Sequence, residues 1–148
     1  NNMNSINIYM MGAITHHEKN NELYKAITWR NELAQELINL NADLCANKFN
    51  WFDPTYRYEQ NLNYSNQTII KQNEYYLNKC DIGIVNLDCL EFSPGTLFEI
   101  FYYYLQHKPV LAFGYSNIIN QPHVKSSITE LFPNIEYIIK YLRNMYCQ

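Results

Sequence analysis

Short apolar runs alternate along this chain with longer segments in which apolar residues recur at the helical period. Three such runs, Ile6 to Met10, Ile82 to Leu87 and Val110 to Phe113, have the length of strands. Nearly continuous apolar runs of this length are typical of strands that are covered on both faces. Lys48 to Phe52 is predicted as a further strand from a less regular pattern.

Three longer segments carry apolar residues on one helical face: Glu22 to Leu40, Gln67 to Lys79 and Ile135 to Met145. A fourth, aromatic-rich helix is predicted between the last two strand-like runs, and Gly114 to Lys125 is predicted as a loop. Strands that alternate with helices predict an α/β fold, with three layers and a mostly parallel sheet of the flavodoxin-like or Rossmann-like kind. We expect one domain over residues 1–148.

The unit from Asp81 to Phe113 is the most informative part of the chain. Ser93 is predicted to be the N-cap of its helix, with Pro94 at the first helical position, and Gly95 allows a ligand to approach the backbone. Glu99 follows in the first turns, just inside the crevice where open α/β sheets bind ligands. Its carboxylate can act as a general base, an acceptor or a nucleophile. Alternatively, it only solvates a helix face.

The helix N-terminus adds roughly 0.3–1 kcal/mol in favour of the ionised form of Glu99. We therefore expect its carboxylate to be charged at neutral pH. A nucleophilic carboxylate suits an electrophilic anomeric carbon, which it captures as a glycosyl ester.

Other positions offer polar groups at ends of the predicted elements. Gly12 follows the first strand, where the backbone can approach a ligand, and Asn73 lies in mid-helix, where Asn is mildly unfavourable. Asp53 either only turns the chain or also offers a carboxylate at a strand end. Trp29 and Arg30 lie on or beside an apolar helical face, which indicates a half-buried Trp and an Arg whose charged end reaches water.

Composition narrows the class of partner. The chain has 148 residues, 47% hydrophobic and 17% charged, and a net charge of −3. This balance gives no electrostatic reason to bind nucleic acid or an anionic membrane, so we expect a small-molecule partner. No apolar run approaches the ~18 residues that span a bilayer. The polar start lacks signal-peptide character, and a cytoplasmic location is expected.

Cysteines and histidines show no metal-ligand spacing. The four cysteines, Cys45, Cys80, Cys89 and Cys147, are scattered and are predicted to be free thiols in a reducing compartment. His16 and its neighbour His17 are predicted to lie in a polar loop. With no GxGxxG and no Walker lysine either, we expect neither a metal nor another cofactor.

Three consecutive tyrosines, Tyr102, Tyr103 and Tyr104, follow Glu99 on its helix. Consecutive helical positions cannot all face one core, so at least one of these side chains is expected at the surface or against a partner subunit.

Several of these segments, in this order, resemble the nucleoside 2-deoxyribosyltransferase family. The resemblance is carried by segments that span most of the chain: Ile8-Tyr9-Met10-Met11-Gly12-Ala13-Ile14, Trp29-Arg30, Asp53-Pro54-Thr55, Asn86-Leu87-Asp88, Ser93-Pro94-Gly95-Thr96-Leu97-Phe98-Glu99-Ile100 and Lys108-Pro109-Val110. It implies that Glu99 is the nucleophile on C1′ of a deoxynucleoside and that Tyr9 orients it. It also implies a homo-oligomer whose pockets are completed by a neighbouring subunit.

Two positions depart from the pattern of many family members. Asn73 stands where many carry an Asp that serves the nucleobase, and Ser93 stands where many transferases carry an Asp that binds the 5′-hydroxyl. The related 2′-deoxynucleoside 5′-phosphate N-hydrolases use Ser at the second position for the phosphate. Ser126 lies near the place of their second phosphate-binding Ser, which a neighbouring subunit supplies. Ser93 as a plain helix cap explains the same residue.

Three functions follow from the resemblance. The first is transfer of 2-deoxyribose between nucleobases through a Glu99 ester, with a nucleoside and a free nucleobase as partners. The second is hydrolysis of deoxynucleoside 5′-monophosphates, and the third is a nucleotide-binding module with weak or no turnover.

Overall fold

Strand β1, Asn4–Met11, lies inside the sheet and pairs on both sides. The computed structural model describes residues 4–43, 45–59 and 63–148. Strands β2 to β5 of the described chain span Asn47–Phe52, Ile82–Asn86, Val110–Phe113 and Glu130–Leu131. All pairings are parallel, and the strand order is β2-β1-β3-β4-β5. This is the flavodoxin-like order, so the predicted α/β fold is confirmed.

Helices connect and cover these strands. The α-helices of the described chain are α1 to α7, which span Thr15–Lys19, Tyr24–Ala42, Tyr56–Glu59, Asn66–Lys79, Pro94–Leu105, Pro122–Ser127 and Ile135–Tyr146. A short 3-10 helix, Leu90–Phe92, precedes α5. Ser65 and Asn134 cap α4 and α7 by accepting the backbone N–H of Thr68 and Tyr137, respectively, which explains where these two helices begin.

The two faces of the sheet bury separate apolar clusters. Ile8 and Met10 of β1 point to the face covered by α2 and α7, whereas Tyr9 and Met11 point to the face covered by α4 and α5. Successive strand residues point to opposite faces, so β1 contributes to both cores. Tyr9 is therefore directed to the same side of the sheet as α5, the helix that carries Glu99.

Most predicted elements are present, with ends shifted by one or two residues, and five short elements of the described chain were missed. The missed elements are α1, α3, α6, β5 and the 3-10 helix before α5. His16 and His17 lie in α1 rather than in a polar loop, and His17 is buried. The predicted loop from Gly114 to Lys125 gives way to α6 at Pro122. Each of these elements has six residues or fewer, too few for a hydrophobic period to be recognised.

The tyrosine triplet of α5 divides as expected. Tyr103 is fully buried, Tyr102 is half-buried, and Tyr104 is exposed.

The prediction of four free thiols is wrong. Cys45 and Cys147 form a disulfide between residues 102 positions apart in the sequence. It joins the segment before β2 to the end of α7. Cys80 and Cys89 are free thiols. The sequence did not indicate this disulfide because the two cysteines are far apart along the chain. Only the packing of α7 beside the start of β2 brings them together. The reducing compartment was predicted from four free thiols, and only Cys80 and Cys89 still support that prediction.

Among the described helices, none is both long enough and apolar enough to cross a membrane.

Candidate active site

A cavity of about 600 Å³ lies beyond the carboxyl ends of β1 and β3. In flavodoxin-like sheets this edge is the point where the strand order reverses and where ligands bind. Six residues of the predicted site line the cavity: Tyr9, Gly12, Asn73, Ser93, Gly95 and Glu99. The fold therefore gathers groups from β1, the loop after it, α4 and α5 around one space.

Glu99 lies in the second turn of α5 and is half-buried in the cavity wall. Burial raises the pKa of its carboxyl from 4.5 to about 7, while Tyr9 and the positive charge of Arg30 act in the opposite direction. With a pKa near neutrality, Glu99 is divided between its charged and its protonated form at pH 7, whereas the sequence predicted a charged carboxylate. The helix N-terminus acts mainly on the first turn, and its contribution is smaller than the cost of removing a carboxylate from water.

Tyr9 is fully buried beside Glu99. Its hydroxyl makes no hydrogen bond of ordinary geometry with a described residue. Burial first, and then the negative charge of Glu99, raise the pKa of this phenol well above its usual value. Tyr9 is therefore a neutral hydroxyl, able to donate a hydrogen bond to the carboxylate or to a bound ligand.

Arg30 is completely buried and lines the same cavity. Its guanidinium donates to the backbone oxygens of Ala26, at 2.7 Å, and Gly12, at 3.1 Å. It also lies 4.5 Å from the ring centre of Trp29. The prediction of an Arg whose charged end reaches water is wrong. The sequence could have indicated this burial, because Arg30 lies beside an apolar helical face. A buried cation is found at such a position only where other groups form hydrogen bonds or ion pairs with it.

Asp53 combines the two roles that the sequence left open. One carboxylate oxygen accepts from the backbone N–H and the hydroxyl of Thr55, at 2.8 and 2.6 Å, which fixes the turn after β2. The same oxygen lies 3.7 Å from Nε of Arg30. Asp53 does not line the cavity that holds Glu99. It is linked to the cavity wall through its ion pair with Arg30.

Buried polar atoms without a hydrogen-bond partner concentrate at this cavity. In the described part of the chain they are Tyr9 Oη, Arg30 Nε, Asn73 Oδ1 and His17 Nδ1. The first three belong to residues that line the cavity. Because a buried polar group without a partner is costly, such a concentration indicates that a polar ligand supplies the missing partners.

Ser93 precedes α5 at the N-cap position, but its side chain makes no capping hydrogen bond. Its hydroxyl donates instead to the backbone oxygen of Cys89, at 2.9 Å. The predicted capping role is therefore wrong for the side chain. The hydroxyl oxygen keeps lone pairs, and the residue lines the cavity, so Ser93 is placed to contact a ligand.

The two predicted site glycines have different surroundings. A Cβ on Gly12 would lie 2.9 Å from the Trp29 ring and 3.5 Å from the Arg30 guanidinium. A Cβ on Gly95 would meet no protein atom within 4 Å. Gly12 is thus required by packing within the protein, whereas the space beside Gly95 is open.

Ser126 is the predicted site residue that lies elsewhere, exposed on α6 and outside the cavity lining. The mouth of the cavity also carries charged side chains that the sequence did not single out, among them Glu18, Lys19 and Arg57. A second cavity, of about 580 Å³, adjoins the first at Ile69 and is lined mainly by aromatic rings together with Asp53. Within the described residues, no cluster of His, Cys, Asp and Glu side chains is arranged to hold a metal ion.

Solved structures with a similar fold include enzymes that act on N-glycosidic bonds. The 2-deoxyribosyltransferase of the psychrotolerant bacterium Bacillus psychrosaccharolyticus has a TM-score of 0.65 at 17% identity, covering 91% of both chains. A conserved protein from Enterococcus faecalis has a TM-score of 0.62 at 13% identity, covering 95% of this chain and 98% of its own. The CMP N-glycosidase of Clostridium botulinum has a TM-score of 0.54 at 16% identity, covering 93% of this chain and 98% of its own. At these identities the likeness shows the fold.

The sequence itself carries the assignment to a family. A comparison with curated proteins gave no significant match. The sequence profile described as nucleoside 2-deoxyribosyltransferase matches residues 8–124, well over half of the chain, and this range contains Tyr9, Arg30, Asn73 and Glu99. The chain therefore belongs to the nucleoside 2-deoxyribosyltransferase family, whose members make and break N-glycosidic bonds.

Proposed function

We propose that this protein transfers 2-deoxyribose between nucleobases and that Glu99 is the nucleophile. The observation that carries the proposal is the half-buried Glu99 carboxyl beside the buried hydroxyl of Tyr9, in a cavity with unpartnered polar atoms. A cavity of about 600 Å³ has the size of small-molecule sites and accommodates a nucleoside.

The reaction has two displacements at C1′. A carboxylate oxygen of Glu99 attacks C1′, and the C–N bond to the first base breaks, with its electron pair leaving on the base, which takes up a proton. A ring nitrogen of the second base then attacks C1′ of the glycosyl ester, loses its proton and releases the Glu99 carboxylate. Two inversions give net retention at C1′.

Two residues support these steps in the proposal. Tyr9 donates a hydrogen bond to Glu99 and thereby orients the attacking oxygen. Asn73 meets the base edge with an amide that can both donate and accept hydrogen bonds. An Asn cannot act as a general acid, so in this proposal solvent water is the proton source for the leaving base.

Base exchange tests this function directly. Thymidine and free adenine are mixed with the enzyme, and deoxyadenosine is measured by chromatography, with Glu99→Ala as the matched control. We expect deoxyadenosine with the wild type, none above background with the variant, and one deoxyribosyl group on a Glu99 peptide of quenched wild-type enzyme. Absence of exchange at high enzyme concentration would refute the transferase proposal.

A specific observation favours a second candidate, hydrolysis of a deoxynucleoside 5′-monophosphate. Ser93 contributes a neutral hydroxyl to the cavity. The cavity lining carries the cations Lys19 and Arg57 beside the carboxylates Glu18 and Glu74. A phosphate is accepted more readily beside a hydroxyl and cations than beside a carboxylate. Release of free base from deoxynucleoside monophosphates, without exchange on deoxynucleosides, would establish this candidate instead. A rise in melting temperature with deoxynucleosides or their monophosphates, without any product, would indicate a binding module.

We further propose that the active form is a homo-oligomer. Ile70 and Phe98 line the cavity, and each is more than half exposed, at 55% and 54%. Large apolar side chains at a cavity rim are typical of surfaces that a partner covers. Light scattering after size-exclusion chromatography tests the assembly, and a monomer at assay concentration would contradict it.

A further inference from the structure

Arg30 is a fully buried cation in the wall of the cavity that holds Glu99. We propose that Arg30, held in place by Asp53, is a positioning residue whose buried positive charge keeps the Glu99 carboxylate ionised for attack. The inference rests on the proposed role of Glu99 as nucleophile and extends it to two residues on other elements.

The guanidinium is fixed from several directions. Its two terminal nitrogens donate to the backbone oxygens of Ala26, one turn earlier in α2, and of Gly12, in the loop after β1. The central carbon of the guanidinium lies over the Trp29 ring. A charge held by several elements keeps its position without water, so it needs no reorganisation when charge develops on a ligand or a carboxylate.

Asp53 supplies the counter-charge. Its carboxylate oxygen lies 3.7 Å from Nε of Arg30, beyond hydrogen-bond distance, so Nε makes no hydrogen bond with a described residue. The ion pair stabilises the charged form of Arg30, whose pKa burial lowers to about 10. Arg30 therefore remains a cation at every pH at which the enzyme is expected to work.

Other charged and titratable groups face Glu99 from the elements around it. Tyr9 of β1 and Tyr103 of α5 interact with it. Five groups that line the cavity complete the set: His16, Glu18 and Lys19 of α1, Arg57 of α3 and Glu74 of α4. Glu18 and Lys19 are exposed, so water screens their effect. Arg30 differs from them because it is completely buried, and its charge lowers the pKa of Glu99 against the effect of burial.

The consequence is chemical. A carboxyl buried without a nearby cation keeps its proton at neutral pH, and a protonated carboxyl is a poor nucleophile. Arg30 thus allows Glu99 to be partly buried and still ionised in a substantial share of molecules near pH 7.

The alternative is that Arg30 only cross-links α2 to the loops after β1 and β2. The two roles predict different titrations of Glu99. The protein is labelled with glutamate that carries 13C at the side-chain carboxyl, and the NMR signal of Glu99 is identified by its loss in Glu99→Gln. The titration of this signal is then followed in the wild type, in Arg30→Met and in Arg30→Gln. Melting temperatures are measured on the same samples.

We expect the titration midpoint of Glu99 to rise by about one pH unit or more in both neutral variants. Arg30→Lys keeps a charge and should restore part of the difference. Arg143→Met removes one surface cation that pairs with Asp43 and should leave the midpoint unchanged. If Arg30→Met does not fold, Arg30→Gln, which can still donate to a backbone oxygen, decides the question.

An unchanged Glu99 midpoint in a folded neutral variant would overturn the inference and leave Arg30 a cross-link. This measurement needs no turnover, so it separates the inference from the proposed reaction. Where the wild type exchanges bases, the acid limb of kcat/KM should move to higher pH in the neutral variants together with the titration midpoint. Where it does not, the proposed reaction fails while the effect of Arg30 on Glu99 is still measured.

Discussion

Tyr9 of β1 lies beside Glu99 of α5, and the interaction between their side chains lowers the pKa of the carboxyl while raising that of the phenol. Tyr9→Phe removes the hydroxyl and keeps the buried ring. We expect kcat/KM to fall roughly tenfold to a hundredfold, since hydrogen bonds to charged groups contribute about 1.5–3 kcal/mol. The acid limb of the pH profile should move to higher pH, because Glu99 loses a group that favours its ionised form.

Tyr102→Phe is the matched control, because its hydroxyl binds Asn78 on α4 and does not line the cavity. It should leave the profile unchanged. A Tyr9→Phe enzyme with the wild-type profile would show that Tyr9 does not act on Glu99.

Ionisation of Glu99 opposes folding. Its pKa is about 7 in the folded protein against an ordinary value of 4.5, so between these pH values the folded chain holds a proton that the unfolded chain has released. The contribution of this group to stability therefore falls as pH rises through that window. Glu99→Gln should stabilise the protein by about 3 kcal/mol more at pH 8 than at pH 4.5.

Thermal melts of Glu99→Gln and wild type at both pH values measure this difference. Glu136→Gln, on the surface helix α7, is the control and should show a much smaller difference. Equal gains for Glu99→Gln at both pH values would contradict the raised pKa.

Asn73 presents an unpartnered buried oxygen to the cavity. Asn73→Leu removes this acceptor and keeps the branched shape of the side chain, and we expect kcat/KM to fall about tenfold for the best nucleobase. Gln72→Leu is the neighbouring control, because Gln72 lines the aromatic cavity instead and should change kcat/KM less than twofold. Equal effects of the two substitutions on kcat/KM would refute a contact between Asn73 and the base.

Gly12 and Gly95 should respond differently to Ala. In Gly12→Ala the new methyl group would press on Trp29 at 2.9 Å, so we expect destabilisation of about 1–3 kcal/mol. In Gly95→Ala the methyl group enters open space in the first turn of α5, so the melting temperature should hold or rise while KM increases. Melting curves and kinetics of both variants test this, and an unchanged KM in Gly95→Ala would place the ligand away from this turn.

The disulfide between Cys45 and Cys147 closes a loop of about one hundred residues. Cys45→Ser should lower the free energy of unfolding by about 2–4 kcal/mol, because the unfolded chain gains freedom. Activity at 25 °C should persist, since neither cysteine lines the cavity.

Chemical denaturation with and without reductant measures this effect. Cys147→Ser and the double variant should have the same free energy of unfolding as Cys45→Ser. Reductant should lower the free energy of unfolding of the wild type only. Stability unaffected by reductant in the wild type would show that the bond contributes nothing.

The local pattern of apolar and polar residues was sufficient to predict most of the fold. The apolar runs that became β1, β3 and β4 and the periodic segments that became α2, α4 and α7 are patterns of residues close in sequence, so they can be recognised without knowing their partners in the fold. The order of motifs from Ile8 to Val110 was likewise enough to indicate the family, because each motif is a short continuous segment that can be recognised without the fold.

Only the tertiary structure decided the environment of those residues. The raised pKa of Glu99, the burial of Arg30 and its ion pair with Asp53 depend on three segments that meet at the edge of the sheet. The bond between Cys45 and Cys147 depends in the same way on how α7 packs. Burial and electrostatic interaction are properties of distances in space, which separation along the chain does not specify, so the sequence singled out Glu99 as the candidate nucleophile and the fold determined the environment of its carboxyl.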